Sequence, residues 1–122
     1  MNEYSTALLQ IVSTRMSHEE LTNGMGLRNY ARKQPEPPNA YYCFETAALC
    51  ASDSLNDHIE KLSFVCRQAE AFVKERVSEG DEITLLWFPG PNAEDFTVLT
   101  PASMKFLGEM KISFLITNKS RA

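Results

Sequence analysis

The chain has 122 residues and a net charge of −4, with 43% hydrophobic and 23% charged residues. This length suits one hydrophobic core, so we predict a single domain over residues 1–122. The composition is that of an ordinary globular protein, which excludes a fibrous or disordered chain. The acidic balance disfavours a nucleic-acid-binding protein, because such proteins usually present a basic face.

The sequence contains no membrane or secretion signal of a familiar kind. No apolar run reaches the roughly 20 residues that cross a bilayer, and Met1–Tyr4 lacks the basic start of a signal peptide. We therefore expect a cytoplasmic protein that does not bind membranes. Three cysteines at spacings of seven and sixteen fit neither a disulfide framework nor a Cys-x-x-Cys zinc site. We expect them to be reduced, buried thiols: Cys43, Cys50 and Cys66.

The first elements are a strand and a short helix. Tyr4–Ser13 is rich in apolar and β-branched residues on both alternating faces, which predicts a strand buried on both sides. Ser17 and Glu20 form a capping box that begins a helix. This helix is expected to end at Gly24 or Gly26.

The middle of the chain contains a loop, a strand and the clearest helix. Prolines in Arg28–Ala40 predict an exposed loop, and the aromatic and β-branched residues of Tyr41–Thr46 predict a strand. From Leu55 to Gly80 the apolar spacing predicts one amphipathic helix of about six turns. Its buried stripe consists of Leu55, Ile59, Leu62, Cys66, Ala69 and Val73.

The last third predicts three strands and a capped helix. Glu82–Phe88 is a strand that the prolines of residues 89–92 end sharply, and Phe96–Leu99 is expected to return beside it as a hairpin. Thr100 followed by proline predicts a helix start, with an end near Gly108. A final strand runs from Ile112 to Thr117.

Together these elements predict an α+β domain with one long and two short helices. The predicted order is β-α-β-α-β-β-α-β, with helices on one side of a mixed or antiparallel sheet.

At several points the chain resembles a small bacterial family of unassigned function. The similarity rests on Ser17–Leu21 and Gly26-Leu27 after the first strand, on the long helix between two strands, and on Leu99–Pro101 opening the last helix. The resemblance covers nearly the whole chain. It implies a cytoplasmic accessory protein, and some members look like immunity proteins encoded beside toxins. It supplies no catalytic residue.

The sequence contains no familiar catalytic signature. His18 and His58 are the two histidines, and both fall near helix starts, which favours helix-surface positions over catalysis. Acidic doublets could supply paired carboxylates, but helix capping and solubility explain them more simply. They are Glu19-Glu20, Asp81-Glu82 and Glu94-Asp95. We therefore expect a non-enzymatic protein without cofactor or metal.

Two regions are candidates for partner binding. Trp87 ends a strand, and tryptophan is enriched in binding hot spots, although packing in the core with Ile83 and Leu85 explains it as well. The loop that begins at Arg28 combines basic and aromatic side chains, a pattern that also occurs in single-stranded nucleic-acid sites. Its candidate residues are Arg28, Arg32 and Tyr41.

The sequence leaves two classes of function open. The first is a protein-interaction module, most concretely an immunity protein that neutralises a toxin such as a nuclease. An acidic inhibitor would complement the basic surface with which a nuclease holds phosphate, and Glu94 and Asp95 are candidate contacts. The second is a small-molecule-binding or enzymatic domain whose site has no recognisable motif.

Overall fold

The computed structural model describes residues 5–33, 39–93 and 97–117. In this part of the chain four strands form one sheet in the order β2-β1-β3-β4. The central strand β1 pairs antiparallel with β2 and β3, whereas β3 pairs parallel with β4. The predicted mixed sheet is therefore confirmed. The strands are β1 (Thr6–Ser13), β2 (Ala40–Glu45), β3 (Glu82–Phe88) and β4 (Ser113–Ile116).

Four α-helices accompany the sheet, together with a short 3-10 turn at Thr46–Ala48. The α+β class is confirmed, and the order of elements broadly agrees with the prediction. Within the described ranges no helix is both long enough and apolar enough to cross a membrane. The helices are α1 (His18–Met25), α2 (Leu55–Gln68), α3 (Glu70–Ser78) and α4 (Pro101–Glu109).

Burial alternates along most of β1 and along β2 and β3, which places the core on one face of the sheet. In β1, Leu9 and Ile11 are fully buried, while Leu8 and Val12 on the other face are only half-buried. The prediction that this strand is buried on both sides is therefore wrong. The predicted stripe of α2 and α3 packs on the inner face, and all six of its residues are buried: Leu55, Ile59, Leu62, Cys66, Ala69 and Val73.

The predicted caps of α1 are confirmed. The Ser17 hydroxyl accepts from the Glu20 amide at 3.1 Å, and the Glu20 carboxylate accepts from the Ser17 amide at 3.0 Å. Gly26 ends the helix with φ of 73°, a left-handed conformation that glycine adopts without strain. Gly24 lets the Phe72 ring approach the helix, because an added Cβ would collide with that ring.

The predicted long helix is two helices. It breaks at Ala69, whose φ of −114° and ψ of 27° are not helical, and α3 starts again with Ala69 as its N-cap. The sequence has no glycine or proline there, and the apolar spacing continues through the break, so periodicity alone predicted one helix. In α3, Arg76 is buried beside Asp81.

The predicted hairpin after β3 is wrong for residues 97–99, which form no strand, and Phe96 lies outside the described residues. Asn56 of α2 holds this segment instead. Its side-chain amide donates to the Val98 carbonyl at 2.7 Å, and its oxygen accepts from the Thr100 amide at 3.1 Å. Both edges of β3 are already occupied by β1 and β4, so the sheet has no place for another strand there.

Candidate functional site

The sheet face that points away from the helices carries a row of leucines. The strand register places Leu8 of β1 opposite Leu86 of β3, and Leu86 opposite Leu115 of β4. Leu8 and Leu86 are half-buried, and Leu115 is 52% exposed. Among the described residues that form or pack against the core, none is one of these three. We call Leu8, Leu86 and Leu115 the leucine row.

Acidic side chains flank the leucine row. Glu45 of β2 lies opposite Leu8, and Glu82 of β3 lies opposite Val12 on the same outer face. The four described strands contain no lysine or arginine. The charged residues of these strands are therefore all acidic.

Two of the predicted binding residues lie together at one side of this face. Arg32 and Tyr41 line a cleft of about 220 Å³, together with His18 and Lys33. Tyr41 also belongs to the outer face, because the register places it opposite Val12 of β1. The cleft therefore adjoins Tyr41 of the outer sheet face, and its lining carries the basic Arg32 and Lys33 together with the acidic Glu19.

Contacts within the loop and with α1 hold the residues near this cleft. One ring nitrogen of His18, Nε2, lies 3.0 Å from the Ala31 carbonyl and ties the loop to α1. Arg28, a third predicted site residue, stacks its guanidinium over Tyr30, with the carbon 4.7 Å from the ring centroid. Arg28 is not among the residues that line the cleft.

Trp87 is in the core. It is 2% exposed, and its ring packs edge to face against His58 with 5.2 Å between centroids. The sequence allowed either core packing or surface binding for Trp87, and in the structure its side chain packs in the core. Trp87 also borders a cleft of about 270 Å³, whose lining includes Asp53 and Asn56. This cleft is separate from the one at Arg32. Glu94 and Asp95 lie outside the described residues.

His58 is a buried structural residue, and the predicted helix-surface position is wrong for it. It is 0% exposed, with Nδ1 2.6 Å from the Thr46 hydroxyl and Nε2 2.7 Å from the Ser52 carbonyl. A carbonyl only accepts, so Nε2 carries the proton and Nδ1 accepts from Thr46. The Thr46 oxygen also accepts from the Ala7 amide at 3.0 Å. This network joins α2 to β1.

Two polar features were not predicted from the sequence, and the first is Asn29. Its side chain lies along the outer edge of β2, where its amide donates to the Tyr41 carbonyl at 2.9 Å and its oxygen accepts from the Cys43 amide at 3.0 Å. The Tyr30 amide donates to the Cys43 carbonyl at 2.8 Å. The loop thereby occupies this edge as a further strand would. An asparagine in a loop often bonds to the backbone nearby, as Asn29 does with the Ala31 amide, but its two partners on β2 are 12 and 14 residues away in the sequence.

The second unpredicted feature is the Arg76–Asp81 ion pair. Both side chains are 3% exposed, and Arg76 also donates to Glu75 at 2.8 Å. The pKa of Arg76 is raised: burial alone lowers it, but the hydrogen bonds and charges of Glu75 and Asp81 outweigh that effect. The pair joins the end of α3 to the start of β3, which is a structural function.

The thiols are free in the described chain, as predicted, but only Cys66 is buried, whereas Cys43 and Cys50 are half-buried. Burial raises the pKa of the Cys66 thiol to about 12. Across residues 5–33, 39–93 and 97–117 no group of three or more His, Cys, Asp and Glu side chains could hold a metal ion.

Comparison of the chain with protein-family models, curated proteins and solved structures found no match. The outer sheet face and the adjoining cleft are therefore the basis for any functional conclusion.

Proposed function

We propose that this protein is a non-catalytic protein-interaction module, and specifically an immunity protein that binds and neutralises a bacterial toxin. The observation that carries the proposal is the leucine row, which lies outside the core on the sheet face opposite the helices. The row is the contact surface, and the flanking acidic groups select a basic partner such as a nuclease.

The leucine row can contribute free energy to binding, because its side chains lie in register across three strands and none is fully buried. Apolar side chains gain about 25 cal/mol for each Å² that a partner removes from water. Leu115 is 52% exposed and adjoins Leu86, so one apolar ridge of a partner could cover both. Binding energy usually concentrates in a few such central side chains. This favours Leu86, in the middle of the row, as the central contact.

The acidic groups on the strands support the same class of partner. Glu82 is exposed, and Glu45 is half-buried beside Leu8. Acidic groups at the rim of an apolar contact accelerate association with a basic protein and repel acidic ones. The net charge of −4 acts in the same direction.

The sheet also makes the surface rigid before binding. β1 is paired on both sides, to β2 and to β3, so the backbone beneath Leu8 and Leu86 is held by hydrogen bonds. A preformed surface loses little conformational freedom when it binds. Tight, stoichiometric inhibition benefits from this property.

A small-molecule site is the competing function, and the cleft beside Trp87 favours it. The cleft has a volume of about 270 Å³ and offers Asp53 and Asn56 as polar contacts. However, the Asp53 carboxylate already accepts from the amide and the hydroxyl of Ser5, at 3.0 and 2.9 Å. These bonds give Asp53 a role in the fold, so the cleft carries the weaker case.

The test measures binding to the product of the neighbouring gene by titration calorimetry. We expect one partner molecule per chain and a Kd that rises about tenfold or more in Leu86→Lys, because the lysine places a charge in the apolar contact. Leu49→Lys is the matched control: Leu49 is 51% exposed but lies after the 3-10 turn, outside the four strands. Equal affinities of both variants would contradict the proposed surface.

Charge reversal separates the electrostatic part of the proposal. Glu82→Lys should slow association and make it less sensitive to salt, whereas Glu60→Lys, on the exposed side of α2, should change both much less. Turnover of a substrate by catalytic amounts of the protein would overturn the non-catalytic assignment.

A further inference from the structure

The two edges of the sheet differ in whether another segment of the described chain bonds to their outward backbone groups. At the β2 edge, Asn29 and Tyr30 occupy the outward groups of Tyr41 and Cys43. β4 is the opposite edge. In the described chain, no hydrogen bond joins another segment to the outward side of β4.

The register identifies which groups of β4 point outward. The Thr117 amide donates to the Trp87 carbonyl at 3.0 Å, so odd-numbered residues of this segment direct their backbone groups toward β3. Backbone groups alternate in direction along a strand, so those of Phe114 and Ile116 point away from the sheet. These two residues offer two donors and two acceptors in a line.

This edge lacks the features by which edge strands usually avoid pairing. Residues 112–117 contain no charged residue and no proline. Leu115 is 52% exposed on the outer face, and Ile116 is 44% exposed on the other. Proteins commonly protect free edges with lysine, proline, bulges or a covering segment. The β2 edge is covered by its loop, whereas β4 has none of these protections within the described residues.

We propose that β4 pairs with β4 of a second copy of this chain, antiparallel and related by a two-fold axis at Leu115. In this register Phe114 faces Ile116 of the second copy, and the two residues exchange both backbone hydrogen bonds. Symmetry repeats the exchange, which gives four hydrogen bonds. Leu115 then lies opposite Leu115 of the second copy, at a non-hydrogen-bonded position where Cα atoms approach to about 4.5 Å.

A second copy is favoured over other occupants by the geometry of the sheet. Phe114 and Ile116 lie one residue to either side of Leu115. A two-fold axis at Leu115 therefore places the outward donors and acceptors of each copy opposite those of the other. Within the described residues only the β4 edge lacks a bonded segment, and the two-fold contact uses that edge of both copies, so it closes as a dimer and does not continue as a fibre. The uncharged strand adds no repulsion at the contact, although each chain carries a net charge of −4.

The dimer would join the two leucine rows into one. Leu86 and Leu115 of each chain would follow one another across an eight-stranded sheet, in continuous register. The strand contact is short, so its buried area is below that of a standard interface and the dimer should dissociate on dilution. The inference does not depend on the proposed function.

Sedimentation velocity over a wide range of protein concentration tests the dimer. We expect the wild type to shift from monomer to dimer as concentration rises, and Leu115→Lys to stay monomeric because two lysines would face each other at the axis. Leu49→Lys, with nearly the same exposure at 51%, should dimerise as the wild type does. A wild type that is monomeric throughout, or a dimer retained in Leu115→Lys, would overturn the inference.

A second variant and a cross-link guard against a folding defect. Ile116→Pro removes an outward amide that makes no bond within the monomer, so it should abolish the dimer and leave the far-UV circular dichroism unchanged. Leu115→Cys should form a disulfide between copies under mild oxidation, and peptide mass spectrometry should identify the 115–115 linkage. Leu49→Cys should not form an equivalent bond. Absence of the 115–115 linkage in a sample that sediments as a dimer would contradict the register.

Discussion

Arg76 donates to Asp81 at 2.9 Å in an ion pair whose two side chains are each 3% exposed. The pair connects the end of α3 to the start of β3, and the Asp81 amide donates to the Arg76 carbonyl at 2.9 Å. A buried ion pair of this kind adds little stability relative to a pair of apolar side chains. Removing Asp81, however, leaves the buried Arg76 charge with only the exposed Glu75 as its partner.

Asp81→Asn should therefore destabilise the protein by about 3 kcal/mol in urea unfolding, because Arg76 stays charged and buried. The matched control is Glu79→Gln, which removes the partner of Arg15 in an ion pair whose side chains are 63% and 46% exposed. The control should change stability by less than about 1 kcal/mol. Similar losses of unfolding free energy in both variants would show that the buried Arg76–Asp81 pair contributes no more to stability than the exposed Arg15–Glu79 pair.

Removal of one hydroxyl should weaken the join between α2 and β1. Thr46→Val deprives His58 of its donor and leaves the buried Ala7 amide without an acceptor, which should cost about 1–3 kcal/mol of unfolding free energy. Thr46→Ser keeps the hydroxyl and should recover most of the loss. If the serine and valine variants unfold alike, the hydrogen bonds are not the cause.

The α2 stripe gives a packing prediction. Leu62 is 0% exposed, so Leu62→Ala should cost about 2–5 kcal/mol through lost burial and a residual cavity. Phe64 is on the same helix but is 54% exposed, and Phe64→Ala should change stability by less than about 0.5 kcal/mol. Urea unfolding of both variants checks the difference, and equal effects would contradict the packing.

Cys66 gives a prediction about pH. Burial raises the pKa of its thiol from 9.0 to about 12, so the folded state favours the protonated form. The stability that the protonated Cys66 thiol contributes is fully present below pH 9 and should be lost progressively as pH rises from 9 toward 12. Stability of Cys66→Ala should fall less steeply over this window than that of the wild type. Parallel curves would show that the thiol does not titrate with folding.

Local patterns explain which elements could be predicted from the sequence. The Ser17 capping box, the Thr100-Pro101 start and the α2 stripe depend on neighbouring residues, and each was confirmed. The break at Ala69 could not be predicted, because no helix-breaking residue marks it and the apolar spacing continues through it.

The candidate site was harder to predict for the same reason. The leucine row exists only after β1, β3 and β4 are placed side by side, so Leu8, Leu86 and Leu115 had no common pattern in the chain. Trp87 alternates with its neighbours in a way that fits either a core or a surface strand, and only the position of the helices decides between them. Arg32 and Tyr41 were predicted, and the fold brings these two together.

The central claim is that the outer sheet face binds the partner. Its most direct test is hydroxyl-radical footprinting of the protein, alone and with the product of the neighbouring gene, read by mass spectrometry. We predict that modification of Leu86, Leu115 and Tyr41 falls in the complex, while Leu49 and Phe64, which are exposed elsewhere, stay equally reactive. Protection at Leu49 or Phe64 with an unchanged leucine row would contradict the claim.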